Sequence, residues 1–183
     1  MARFLGLARR NRHERVGFTL YGAAVTAARS PWLYDSLAVP DTLDGRFDLV
    51  GVHVFLVIER LTGEPEPGSA LAQAVFDAMF LDMDVNLREM GVSDLAVGRR
   101  VRAMWEALHG RAAAYREALR AEDPAALQAA LARNVWRGNP PGEAEVAALA
   151  RLVRTQAAHL AGQPLDALAA GHLTFLPAEE AAR

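Results

Sequence analysis

The sequence predicts an all-α fold, a single-domain bundle of about six to eight helices, on three observations. Apolar residues recur at spacings of three and four along most of the chain. Prolines and most glycines fall between these runs. A length of 183 residues, 52% hydrophobic and 23% charged, suits one globular domain. A core of that size needs no covalent staple. The chain has no cysteine, which excludes disulfides, thiolate metal sites, iron–sulfur clusters and cysteine nucleophiles together.

The first helix is expected from about Arg15 to Ser30, stopped by Pro31, with a short aromatic stretch (Trp32, Tyr34, Leu37) after it. VPDTL reads as a turn, its proline fixing φ while Asp41 and Thr42 bond nearby amides. From Arg46 to Leu61, residues Phe47, Val50, Val54, Ile58 and Leu61 recur at helical intervals. Val50, Val52 and Val54 also alternate as a strand would, and length decides for helix. Leu49, Val52, Phe55, Leu56 and Val57 are apolar as well, so this helix should be buried on most of its circumference, at the centre of the fold.

Thr62 to Gly68, with two prolines and two glycines, is a loop. Ser69 is expected to cap a helix to about Met90, striped by Phe76, Met79, Phe80, Met83, Leu87 and Met90. Gly91 should close it in the left-handed conformation and Ser93 should cap the next helix, making a hairpin. That next helix, to Ala121, carries Val97, Val101, Met104, Trp105, Leu108, Ala112, Tyr115 and Leu119 on one face. Its interior Gly98 and Gly110 mark a close approach, a bend or a tolerated defect. Asp123 and Pro124 open a helix to Trp136 carrying Leu127, Leu131 and Val135. RGNPPG breaks the chain before a last long helix with Val146, Leu149, Val153, Ala157 and Leu160, and a short turn from Leu165 to Ala170 ends at Gly171.

The formal net charge is −2 and every one of the 20 cations is arginine. Five of them (Arg3, Arg9, Arg10, Arg12, Arg15) form a basic leader, so residues 1–14 are divided from a helical domain at 15–183. Such a leader is either a frayed solvated end or a contact for ribosomal RNA or acidic lipid, each charge near a membrane being worth roughly 1 kcal/mol. The apolar stretch Phe4 to Ala8 is too short for a secretory signal, and Phe47 to Ile58 is too short to span a bilayer. The acidic balance argues against DNA as a partner.

Asp77, Asp82, Asp84 and Glu89 suggest a metal site until they are placed on a helix. Asp77, Asp84 and Arg88 then share one flank, while Asp82, Asn86 and Glu89 lie on another more than 90° away. One hard cation does not suit both flanks. Glu106 and His109 match the ExxH spacing of carboxylate-bridged di-iron bundles, but only one such motif is present and it should point away from the core. His53, in the buried helix, is a ligand, a general base or, most simply, a neutral core histidine bonded to a backbone carbonyl or to Asp41, Asp44 or Asp48. Arg102, His109, Arg116 and Arg120 border one side of the long helix's stripe, and Arg100 and Arg111 the other. They either snorkel to water or bind acidic protein, phosphate or RNA through their planar guanidinium groups. No activated nucleophile or phosphate loop is evident.

From Tyr21 to about Trp136 the chain resembles the ubiquinol–cytochrome c chaperone family. The likeness rests on YGAAVTAAR, VPDTLDGRFD, HVFLVIERL, FDAMFLDMDVNLREMGVSDLAVGRRVRAM, HGRAAAY and LARNVW in that order. It implies a non-enzymatic helical factor that supports cytochrome b production and bc1 complex assembly. Mitochondrial members act with a small partner, associate with the ribosome near its exit and hold new cytochrome b. No long targeting presequence is seen, which implies a bacterial relative in the cytoplasm, peripheral to the inner membrane at most. The family supplies no catalytic residues, metal or cofactor. Its motif positions Asp41, Asp44, Arg46, Asp48, Asp82, Asp84, Arg88 and Glu89, with Arg100, Arg102 and Arg111, are candidates for partner binding or for architecture. Met79, Met83 and Met90 are core residues or adaptable contacts for a hydrophobic client. The alternatives are a helical scaffold for another membrane or ribosomal partner, and a carboxylate/His metal enzyme of quinone or haem metabolism.

Overall fold

The computed structural model describes the backbone of residues 2–121 and 123–183, and the side chains of 12–121 and 123–183. Within those residues the chain forms nine helices and no strand: α1 (Ala2–Ala28), α2 (Pro31–Asp35), α3 (Leu43–Leu61), α4 (Gly68–Glu89), α5 (Asp94–Arg120), α6 (Pro124–Val135), α7 (Glu143–Ala161), α8 (Leu165–Ala169) and α9 (Ala178–Ala181). The leader at 1–14 falls largely on residues 1–11, outside those whose side chains are described.

Helix α3 is the axis of the bundle. Residues 51–57 are all buried, and α1, α4, α5, α6 and α7 pack around it. Its apolar circumference drives that position, and Thr42 opens it by accepting from the Gly45 amide at 3.2 Å. Two tight approaches set the packing. The Cα of Gly17 on α1 sits where an added Cβ would lie 2.6 Å from the Ala74 backbone of α4, so the absence of a side chain lets these helices touch. Gly51 on α3 faces α5 less tightly, an added Cβ lying 3.3 Å from the end of the Leu108 side chain.

The hairpin between α4 and α5 closes as the sequence implies. Gly91 has φ 77°, the Val92 amide donates to the Leu87 carbonyl at 3.1 Å and the Gly91 amide to Arg88 at 2.9 Å, a left-handed stop that satisfies the last carbonyls. Ser93 precedes α5 but makes no side-chain cap bond. Asp123 does, accepting from Ala125 at 2.9 Å.

Several expectations are corrected. Helix α4 starts at Gly68, with Pro67 rather than Ser69 at its cap position. Gly98 and Gly110 have nothing within 4 Å of an added Cβ, so they permit no close approach. Trp105, expected on the buried stripe of α5, is 43% exposed, its ring lying 4.1 Å from that of His109 on the same helix. The aromatic stretch after Pro31 is itself helical. After α8 the chain runs extended through Thr174 and Leu176, held by two glutamines. Gln156 bonds both the amide and the carbonyl of Leu176 at 3.0 and 2.8 Å, and Gln163 does the same for Thr174 at 3.1 and 2.7 Å.

Candidate functional site

The charged motif residues separate into three groups. At the entry to α3, Arg46 forms a two-pronged pair with Asp41, and both are exposed. Asp41 is held below the usual carboxylate range by that hydrogen bond.

One turn further, Asp48 is 3% exposed. It accepts from Arg111 of α5 and from Arg137, which follows α6, at 3.4 Å. Arg137 also reaches Asp44 at 3.2 Å. Four residues distant in sequence thus tie α3, α5 and the α6–α7 connection. Burial pushes the Asp48 carboxyl above its ordinary range, with the charge and hydrogen bond of Arg111 and then the charge of Arg137 opposing. Desolvation outweighs attraction here, as buried ion pairs often show. Asp48 and Arg111 therefore fix the register of helices, and Asp48 has no surface to offer a partner.

The third group lies on the hairpin. Arg88 bridges Asp84, at 2.6 Å, and Asp94 at the start of α5. Asp82, on the other flank as its spacing requires, accepts from the Tyr21 hydroxyl of α1 at 2.7 Å. That bond, after burial, raises the Tyr21 pKa. Glu89, Arg100 and Arg102 are exposed, and Arg102 is 3.8 Å from Glu106. Arg116 pairs with Glu59 of α3 at 2.7 Å.

His53 is 1% exposed and bonds through Nδ1 to the Leu49 carbonyl at 2.9 Å. None of Asp41, Asp44 and Asp48 supplies that bond; their carboxylates face arginines. Burial lowers the His53 pKa to about 4. Among the described residues no three His, Asp or Glu side chains come together as a metal would need. Glu106 and His109 are exposed, and the His109 ring lies 4.1 Å from Trp105 and 5.8 Å from Phe76. No described helix is long and apolar enough to cross a membrane.

Sequence reasoning missed Tyr21, Arg137 and Gln156. Gln156 left a signal, since it lies between Val153 and Leu160 at spacings of three and four, inside an apolar stripe. A polar residue there must find a buried partner. Arg137 left none, because its partners are 89 and 93 residues away.

Among the described residues, five of the seven exposed large apolar side chains, Leu81, Val85, Met90, Leu95 and Trp105, lie on the α4–α5 hairpin of this helical bundle. The chain belongs to the ubiquinol–cytochrome c chaperone family, whose model matches residues 35–175. It is 25% identical over 123 residues to the ubiquinol-cytochrome-c reductase complex assembly factor 1 of Xenopus laevis, covering 67% of this chain and 61% of that protein. To the assembly factor of the same name from Drosophila melanogaster it is 26% identical over 171 residues, covering 84% of this chain and 66% of that one. The chain thus spans less than two thirds of the length of either relative. The crystal structure of the Cbp3 homolog from Brucella abortus superposes with a TM-score of 0.85 at 33% identity, covering 98% of this chain and 99% of that one.

Proposed function

We propose that this chain supports assembly of the ubiquinol–cytochrome c reductase complex by holding one component, cytochrome b, on the α4–α5 hairpin, without catalysing a reaction. The observation that carries the reading is where large apolar side chains reach solvent. Leu81, Val85, Met90, Leu95 and Trp105 are exposed on that hairpin, and among the described residues only Phe18 and Leu43 join them elsewhere. Leu95 is 89% exposed, a position no folding requirement explains. Met79 and Met83 are buried, so of the three methionines considered only Met90 is available to a client. Arg88, Glu89, Arg100 and Arg102 surround these side chains with charge, as a polar rim surrounds an apolar centre. The exposed Arg12 and Arg15 of α1 extend the same reading to a ribosomal or anionic membrane surface.

The test is capture of cytochrome b from detergent-solubilised membranes by the tagged chain. Wild type should retain the haem absorbance of cytochrome b. Val85→Asp with Leu95→Asp should lower recovery by about fivefold or more, the scale of an interface residue worth 1 kcal/mol, while unfolding stays cooperative. If wild type retains no cytochrome b and a deletion strain keeps its normal amount, the reading fails. Recovery of ribosomal proteins instead would favour the scaffold alternative.

A further inference from the structure

A cavity of about 470 Å³ opens between the C-terminal half of α1 and the extended segment after α8. That volume falls within the range of small-molecule sites, roughly 300 to 1,000 Å³. Its walls are mostly apolar, with Ala23 and Ala27 on one side and Leu173, Phe175 and Leu176 on the other. The strap that forms the second wall is held firmly, because Gln156 and Gln163 each take both backbone groups of one of its residues.

Three of the polar side chains at this cavity can accept a hydrogen bond. His53 lines it, although it is buried in the central helix. Its Nδ1 meets the Leu49 carbonyl, which can only accept, so Nδ1 carries the proton. Nε2 is then a bare acceptor on the far edge of the ring, and no described residue donates to it. The low pKa caused by burial keeps the ring in this neutral form. Thr26, a second lining residue, donates its hydroxyl proton to the Gly22 carbonyl at 2.9 Å, leaving lone pairs. Glu179 adds a carboxylate at the rim. Among the described residues the sealed side-chain atoms without a partner are Asn134 Nδ2 and Trp136 Nε1, whereas His53 Nε2 is open to the cavity, where a ligand donor can take the place of water.

We propose that this cavity is a binding site for a small, largely apolar molecule carrying a hydroxyl or N–H donor, with His53 Nε2 accepting from that donor. An anion is disfavoured by the Glu179 carboxylate among the lining residues. The site lies away from the α4–α5 hairpin and does not depend on what that hairpin holds.

The test uses p-cresol and toluene, which share a ring and methyl and differ by the donor. Binding is read by NMR from the His53 Nε2 resonance and the Ala23 and Ala27 methyls. p-Cresol should shift all three saturably and bind about fivefold tighter than toluene, the range of one net hydrogen bond. His53→Asn keeps an amide donor near the Leu49 carbonyl but removes Nε2, and should bring the two probes within about twofold of each other. Ala27→Leu, which fills the cavity from α1, should abolish binding of both. The proposal is overturned if wild type shows no saturable shift, if the probes bind it equally, or if the preference for p-cresol survives in a folded His53→Asn protein.

Discussion

His53 shows how burial governs a residue with every credential for chemistry. Helix α3 carries it into the core, where a carbonyl four residues back and the edge of Phe175, 5.4 Å away, are its neighbours. Burial lowers its pKa from 6.5 to about 4. The native protein therefore declines a proton that the unfolded chain accepts between those values. Stability from this residue is complete above about pH 6.5 and is lost as pH falls toward 4, by about 3 kcal/mol in total at 1.36 kcal/mol per pKa unit. Urea unfolding at pH 7.5 and 4.5 should show wild type losing about 2 to 3 kcal/mol more than His53→Asn. Other titrating groups cancel in that comparison. Equal losses would mean that the imidazole is solvated or already charged in the fold. Asp48 makes the complementary point, for its carboxylate is raised by burial in spite of two arginines, so its value is in placing α5 rather than in net stability.

At the level of elements, glycines separate positions that need the missing side chain from those that only tolerate it. Gly17→Ala drives a Cβ to 2.6 Å from the Ala74 backbone and should destabilise by about 1 to 3 kcal/mol through overpacking of α1 against α4. Gly98→Ala meets open space inside α5 and should stabilise by up to about 1 kcal/mol, the difference in helix propensity. Thermal melts of the two variants should move in opposite directions. This contrast also marks the limit of what sequence made legible. Periodicity placed six long helices, because apolar spacing reports directly which face a helix buries. Gly91, Thr42 and Asp123 were legible as punctuation, since turn and cap chemistry is local. The function of Gly17 was not, because it depends on a helix some 57 residues away. Trp105 was misplaced for a related reason. Its spacing fits the stripe of α5, but how far a neighbouring helix extends to cover that stripe is not written in α5 itself. The charged candidates divided in the same way. The Asp84 to Arg88 pair follows from i,i+4 spacing, whereas Asp48 with Arg111 joins two helices that only the tertiary fold brings together.

Across the whole molecule, stability and the proposed recognition face occupy different places. Around α3, Asp48, Arg111 and Arg137 close one side of the interior, and the glutamine-held strap borders the cavity that His53 lines on another. Helix α4 packs into this body against α1 and α3, while the outer faces of the α4–α5 hairpin carry apolar side chains in solvent and ion pairs at the surface. Arg88 is half exposed at 49% and Asp84 is 33% exposed, so water screens their attraction and the pair contributes at most about 1 kcal/mol to folding. Yet Arg88 also reaches Asp94, joining the two arms of the hairpin close to Leu95 and Met90. Asp84→Ala with Arg88→Ala should therefore leave the melting temperature within a few degrees of wild type, the shift that about 1 kcal/mol gives a domain of this size. The same protein should lose about fivefold or more of its cytochrome b capture, because the rim charges and the angle of the hairpin go together. A melting temperature lowered as far as by a core truncation such as Leu56→Ala would assign the pair to the fold. Unchanged capture at an unchanged melting temperature would remove Asp84 and Arg88 from the recognition face.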